Sequence, residues 1–309
     1  MSIPVLLDCD PGHDDAMAIM LAAGSPAVEL LGITTVAGNQ TLDKTTLNAR
    51  RVCTVAGIRC VPIAAGRAGP LHGPLRTAPD VHGESGLDGP EFGEPTVGVE
   101  ADGAVEFSRR VLHGAAAPVT LIATGPLTNV AALLLAHPEA AGHIREIVLM
   151  GGSTGRGNVT PYAEFNIHVD PEAAGIVFGS GLPVTMCGLN VTHQALATDE
   201  VVRRITGLGT PLAGICAEML TFFRGRYRRR GFTAPPLHDP VAVARVIDPS
   251  VVEVVDAHVA VELAGTHTRG ATVADLDGVT GQQPNARVAT ALDTGRFWKL
   301  MVDALAALG

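Results

Sequence analysis

The chain has 309 residues, 47% of them hydrophobic and 17% charged, with a formal net charge of -9. That apolar content excludes a disordered chain and is enough to bury a large core. With 22 Lys+Arg against 31 Asp+Glu there is no overall positive field to draw in a nucleic acid, and no apolar run approaches the ~18 residues a membrane span requires.

Taken in chain order, Val5-Leu6-Leu7 reads as a buried strand followed by a helical pattern over residues 14–23. Residues 30–36 form a second β-rich run, and the segment after Asn39 is helical again. Further apolar runs at 119–123, 147–150 and 184–187 lead into polar or Gly-rich turns. Strands alternating with helices at this spacing predict an α/β fold, with a mainly parallel central sheet flanked by helices. Residues 257–263 and 270–276 read as a small antiparallel addition, and 294–308 as a closing amphipathic helix carrying the single Trp, Trp298. The Gly/Pro-rich stretch 66–95 has no clear period, and neither a composition break nor a repeat divides the chain. The expectation is one domain over residues 1–309.

The N-terminus, MSIPVLLDCDPG, meets acidic residues at once and has no cationic region, so it does not read as a signal peptide. Five Cys without a CxxC pair read as free thiols of a reducing cytoplasm. A basic cluster at Arg224, Arg226 and Arg228 to Arg230 reads as a solvated helix face.

Ligands of open α/β sheets sit outside the C-terminal strand ends, so the polar residues that follow each strand matter most. After the first strand come Asp8, Asp10, Asp14 and Asp15 within eight residues. Such carboxylates beside a buried strand are costly without positive charge or amide donors among them. Asp14 and Asp15 stand where a helix should begin and could cap it. Four carboxylates exceed that need, and a hard-cation site built from oxygen ligands is the favoured reading. Asn39, Thr124 to Asn129, Met150 and Asn158 follow later strands, and each also fits ordinary turn or cap chemistry. Glu164-Phe165-Asn166 offers a carboxylate and an amide on one side of an extended segment, a pairing that suits vicinal hydroxyls. His238-Asp239-Pro240 sets an imidazole beside a carboxylate, with Asp239 readable as a helix N-cap and Pro240 at the first helical position.

These residues also resemble a known family. DCDPGHDDA, ATGPLTN, AEFNI and LHDP are similar to the motifs of the inosine–uridine preferring nucleoside hydrolases, and ITTVAGNQT, VPIAAG, HGESG, VLMGG, DPEAA and THQALAT extend the similarity along nearly the whole chain. The resemblance implies a Rossmann-like domain, a tightly bound Ca²⁺, a homodimer or homotetramer, and hydrolysis of the N-glycosidic bond of ribonucleosides. It implies Asp10, Asp15, the Thr124 carbonyl and Asp239 as calcium ligands, with Asp10 also the general base. Asp14 and Asn39 would serve the 2′-hydroxyl, Asn166 the 3′-hydroxyl, and Asn158 and Glu164 the 5′-hydroxyl. Met150 and Phe165 would line the ribose pocket. His82 and His238 would face the base, His238 as the leaving-group acid. The pattern departs at the base end: Phe222-Phe223 stands where base-nonspecific members carry a tyrosine pair, and Tyr227 matches the second tyrosine with one residue missing before His238. Two rival readings are a haloacid-dehalogenase-type phosphatase using Asp8 and Asp10, and a non-catalytic ribonucleoside-binding protein on the same fold.

Overall fold

A computed structural model of the chain describes residues 2–309. Its centre is one nine-stranded sheet: β1 (Ile3–Cys9), β2 (Val28–Thr35), β3 (Ile63–Ala65), β4 (Val119–Ala123), β5 (Ile144–Met150), β6 (Val184–Cys187), β7 (Val252–Val261), β8 (Thr272–Asp275) and β9 (Ala286–Leu292), in the order β3-β2-β1-β4-β5-β6-β9-β7-β8. The strands from β3 to β9 in that order pair in parallel, whereas β7 runs antiparallel to β9 and β8 antiparallel to β7. The predicted parallel sheet with a small antiparallel addition is what forms. The sequence reading assigned no strand to β3 or β9: β3 is three residues long, and β9 carries Arg287 and Thr290 among its apolar residues, which hides a buried run.

Alternate residues of β1 serve opposite faces. Val5, Leu7 and Cys9 join one apolar core, and Leu6 joins the other, as the two-residue period of a strand requires. The first core packs under the helices His13–Gly24, Asp239–Ile247 and Thr294–Leu308, contributing Met17, Met20, Val241 and Phe297. The second lies beneath the helices Ala104–Gly114, Thr128–Ala136 and Pro171–Phe178. Burial of each large side chain contributes on the order of 1.5–3 kcal/mol, so both faces are closed chiefly by apolar area, and the buried carboxylates Asp10, Asp14, Asp15 and Asp239 gather beyond the strand ends.

Between β1 and β4 the chain order reverses, since β2 lies on one side of β1 and β4 on the other. That reversal opens a crevice at the C-terminal ends of the two strands. Asp10 leaves β1 there, Asn39 follows β2, Thr124 follows β4 and Met150 closes β5.

Candidate active site

A cavity of about 260 Å³ occupies this crevice. Asp14, Asn39, Thr124, Met150 and Asp239 line its inner part, and Asn158, Glu164, Phe165 and Asn166 form one wall. His82, Tyr227 and His238 lie on its lining too, with Asp80 and Arg230. Every substrate residue expected from the sequence therefore meets at one place. Asp10 and Asp15 are fully buried in the adjoining carboxylate cluster.

The carboxylates are placed by backbone amides at the start of the helix His13–Gly24. Asp15 accepts from Gly12 N–H at 3.0 Å, from the Thr124 hydroxyl at 2.8 Å and from the Asn39 side-chain amide at 3.2 Å. Asp10 accepts the Asn39 backbone N–H at 2.6 Å through Oδ2, while its Oδ1 is buried and unpaired. Asp14 likewise keeps a buried, unpaired Oδ1. Gly38 permits this approach, because a Cβ there would run into the Asp10 carboxylate and the Pro126 ring.

Burial first, then the neighbouring Asp15 charge, pushes Asp14 up to about 8 and holds Asp10 well above the ordinary carboxylate range. Asp239 is raised by burial and then by Asp14, Asp15 and Asp10. Asp14, Asp15 and Asp239 each offer a carboxylate oxygen within 4.8 Å of the others. Capping accounts for Asp15, but it leaves two orphaned oxygens and the mutual repulsion unexplained. A hard divalent cation accounts for both. The tight oxygen grouping thus includes Asp14, a residue the resemblance gives to a ribose hydroxyl. The Thr124 carbonyl, a further ligand in that scheme, accepts the Asn166 Nδ2 amide at 2.8 Å and retains a second lone pair.

Several local expectations are corrected. Glu164 does not sit in an extended segment with Asn166; it caps the short helix Phe165–Val169, accepting from Asn166 N and Ile167 N, and also from Gly152 N. The apolar run that follows was too short to mark a helix in the sequence. Asn166 spends its amide hydrogens on the Thr124 and Met150 carbonyls and keeps Oδ1 free of them. Asn158 accepts Phe165 N–H at 2.9 Å. Asp239 is the first helical residue rather than the N-cap, a position His238 takes, and Pro240 is the second. Arg230, read as part of a solvated face, lies on the cavity rim.

At the outer end, His238 is hydrogen-bonded at both ring nitrogens, Nδ1 to the Thr192 hydroxyl and Nε2 to the Tyr227 hydroxyl, each at 2.8 Å. Burial, then His193 and Arg230, lowers its pKa to about 3, so the imidazole is neutral. Thr192 was passed over as a functional residue; its only sequence signal was the THQALAT motif. His13 was also missed. It stacks on Phe222 and Phe223 and sets its Nδ1 3.2 Å from His82 Nδ1, while its Nε2–H meets the Asp88 carbonyl at 2.8 Å. The phenylalanine pair thus packs behind the histidines and does not line the cavity.

Asp8 points elsewhere. Its Oδ1 accepts from Thr34 at 2.5 Å and Asn129 at 2.7 Å, and it does not line the cavity. A phosphatase reading would therefore lack its nucleophile. All five cysteines are free, and among the described residues no helix is long and apolar enough to cross a membrane.

The comparisons with known proteins agree with this geometry. The family model for the inosine-uridine preferring nucleoside hydrolase matches residues 5–299. The pyrimidine-specific ribonucleoside hydrolase RihA of Shewanella woodyi is 49% identical over 307 residues, covering 99% of this chain and 98% of its own. The RihA of Citrobacter koseri is 48% identical over 308 residues, covering 99% of both. Among solved structures, the purine-preferring ribonucleoside hydrolase from Gardnerella vaginalis superposes with a TM-score of 0.92 at 33% identity, over 99% of this chain and 98% of that one. With the carboxylate cluster at the strand ends and the match running through the whole sheet, the chain belongs to the inosine-uridine preferring nucleoside hydrolase family, whose members hydrolyse ribonucleosides.

Proposed function

We propose that this ribonucleoside hydrolase acts on pyrimidine nucleosides, with calcium held by Asp10, Asp15, Asp239 and the Thr124 carbonyl and with Asp14 beside them. The preference follows the relatives at 48–49% identity, which are named as pyrimidine-specific. The observation that carries the mechanism is the unpaired Oδ1 of buried Asp10 within the carboxylate cluster. When bound, the ion acidifies the attacking water and polarises the ribose hydroxyls.

Asp10 Oδ1 takes the proton of a water that attacks the anomeric carbon opposite the base, with inversion. The oxocarbenium-like transition state is stabilised by clamping the ring: Asp14 and Asn39 engage the 2′-hydroxyl, Asn166 Oδ1 accepts from the 3′-hydroxyl, and Asn158 and Glu164 hold the 5′-hydroxyl. Met150 and Phe165 flank the sugar. The base lies toward His82, Tyr227 and His238. Because His238 is neutral, it acts on the base through its hydrogen-bonded partner Tyr227: with the Thr192 hydroxyl donating to Nδ1, the Nε2–H donates to the Tyr227 oxygen and leaves the phenol proton for the base. The family resemblance adds a homodimer or homotetramer, and the free thiols suit the cytoplasm.

The test is incubation of the purified protein with uridine, cytidine, inosine, adenosine and guanosine, without phosphate, with and without a calcium chelator. Free base and ribose should form from uridine and cytidine and stop on chelation. Equal turnover of inosine and uridine would refute the base preference, and full activity after removal of the ion would refute the calcium role.

A further inference from the structure

The base end of the cavity holds one formal positive charge. The helix Pro211–Arg228 ends in a tight turn in which Arg230 N–H donates to the Tyr227 carbonyl at 2.9 Å and Gly231 adopts φ +87°. This turn brings Arg230 over the cavity rim, where its guanidinium pairs with Asp80 Oδ2 at 2.6 Å. Asp80 belongs to the helix Pro79–His82 on the opposite lip. Both residues line the cavity, and Arg230 is the only Arg or Lys among the described residues that does. Of the lining carboxylates, Asp14, Glu164 and Asp239 belong to the metal and ribose end, and Asp80 projects into solvent with its side chain 69% exposed. His82 and His238 are kept neutral, chiefly by burial. The Arg230 charge also acts on His82, Tyr227 and His238 together, favouring the less protonated form of each.

Cleavage creates negative charge at this end. The electron pair of the C1′–N1 bond leaves with the base and spreads over its ring nitrogens and carbonyl oxygens. The water oxygen bonds to C1′ and gives up one proton, and the base finally gains one, so no net proton is consumed. We infer that Arg230, which meets the exposed Asp80 carboxylate at the rim, is the cation that stabilises the departing nucleobase of this hydrolase. A fixed charge aimed at a site of developing charge lowers the barrier without transferring a proton, whereas an exposed ion pair does little for folding stability. The inference rests on the proposed placement of the base beside Tyr227 and His238.

The experiment measures kcat and KM on uridine and on p-nitrophenyl β-D-riboside, whose leaving anion is intrinsically stable. Arg230→Gln should lower kcat on uridine roughly 10- to 100-fold, with a loss several-fold smaller on the p-nitrophenyl substrate. Arg230→Lys keeps the charge and should recover most of that loss. Asp80→Asn removes the opposing charge and should shift the ratio of the two rates toward uridine or leave it unchanged. Circular dichroism and thermal melting check that each variant folds. The inference is overturned if Arg230→Gln lowers both substrates equally, if only KM changes, if the Lys variant is as impaired as the Gln variant, or if Asp80→Asn moves the ratio in the same direction as Arg230→Gln. Tyr227→Phe separates the two levels: if it alters the ratio while Arg230→Gln does not, only the role of Arg230 fails. If neither alters it, the placement of the base fails.

Discussion

Replacing Asp14 with Asn should make the metal-free protein more stable and the enzyme less active. The Asp14 carboxyl is pushed from 3.8 to about 8, by burial first and then by Asp15. At pH 7 the unfolded chain ionises this group, whereas the metal-free folded chain must keep it protonated. At ~1.4 kcal/mol per pH unit between 3.8 and 7, that difference costs the fold roughly 4 kcal/mol. Asparagine has nearly the same shape and no charge, so it removes the cost while its side-chain oxygen can still accept a hydrogen bond. For a chain of this size the gain corresponds to a melting temperature higher by on the order of 5–10 °C in chelator. A raised folded-state pKa gives stability that is fully present below the unfolded value and is lost as pH rises through the folded one. The wild-type melting temperature in chelator should therefore fall between pH 5 and pH 8, and the variant's should fall less. Calcium narrows the gap and reverses the order only beyond roughly a thousandfold excess over Kd, since binding to the folded state alone adds about 2.7 kcal/mol at a hundredfold excess and about 4.1 kcal/mol at a thousandfold, and the variant loses a carboxylate of the cluster. The assay is thermal melting of both proteins at pH 5, 6, 7 and 8, with chelator and with calcium. A variant melting at or below wild type in chelator at pH 8 would show that burial and the neighbouring Asp15 do not hold Asp14 above the ordinary carboxylate range.

Three further outcomes are expected. Asp10→Asn should lower kcat on uridine by ~10²–10⁴-fold with the fold intact by circular dichroism; a loss under tenfold removes Asp10 as the base. Gly38→Ala should abolish most activity and lower the melting temperature, because its methyl group meets the Asp10 carboxylate and the Pro126 ring; wild-type behaviour in both measurements would mean that the loop is free to move aside. Thr192→Val removes the hydroxyl that orients His238 and should lower kcat on uridine about tenfold or more while leaving the ribose KM contribution in place; a change confined to KM contradicts the proposed hydrogen-bond chain.

Much of the fold was legible because its causes are local. The apolar runs of β1, β4 and β6 are continuous, as strands buried on both faces must be, and turn residues separate them from the helices. The carboxylates that follow β1 were legible for the same reason: four ionic groups cannot adjoin a buried strand without a partner. Glu164 was misread because five apolar-patterned residues carry no helical period, and its capping role depends on where Gly152 lies. β9 was missed because Arg287 and Thr290 interrupt its apolar residues, and only the strand order sets it between β6 and β7.

The acidic motif, the alternation of strands and helices, and the chemistry available at each strand end can all be read from the chain alone, since they depend on neighbouring residues. Tertiary structure decided which of those ends converge. It brought Asp14 into the oxygen cluster with Asp15 and Asp239, joined Thr192 and Tyr227 through His238, and carried Arg230 across to Asp80, 150 positions away in the chain. Chain separation says nothing about such meetings; they follow from the strand order, which folds the reversal between β1 and β4 into a single crevice.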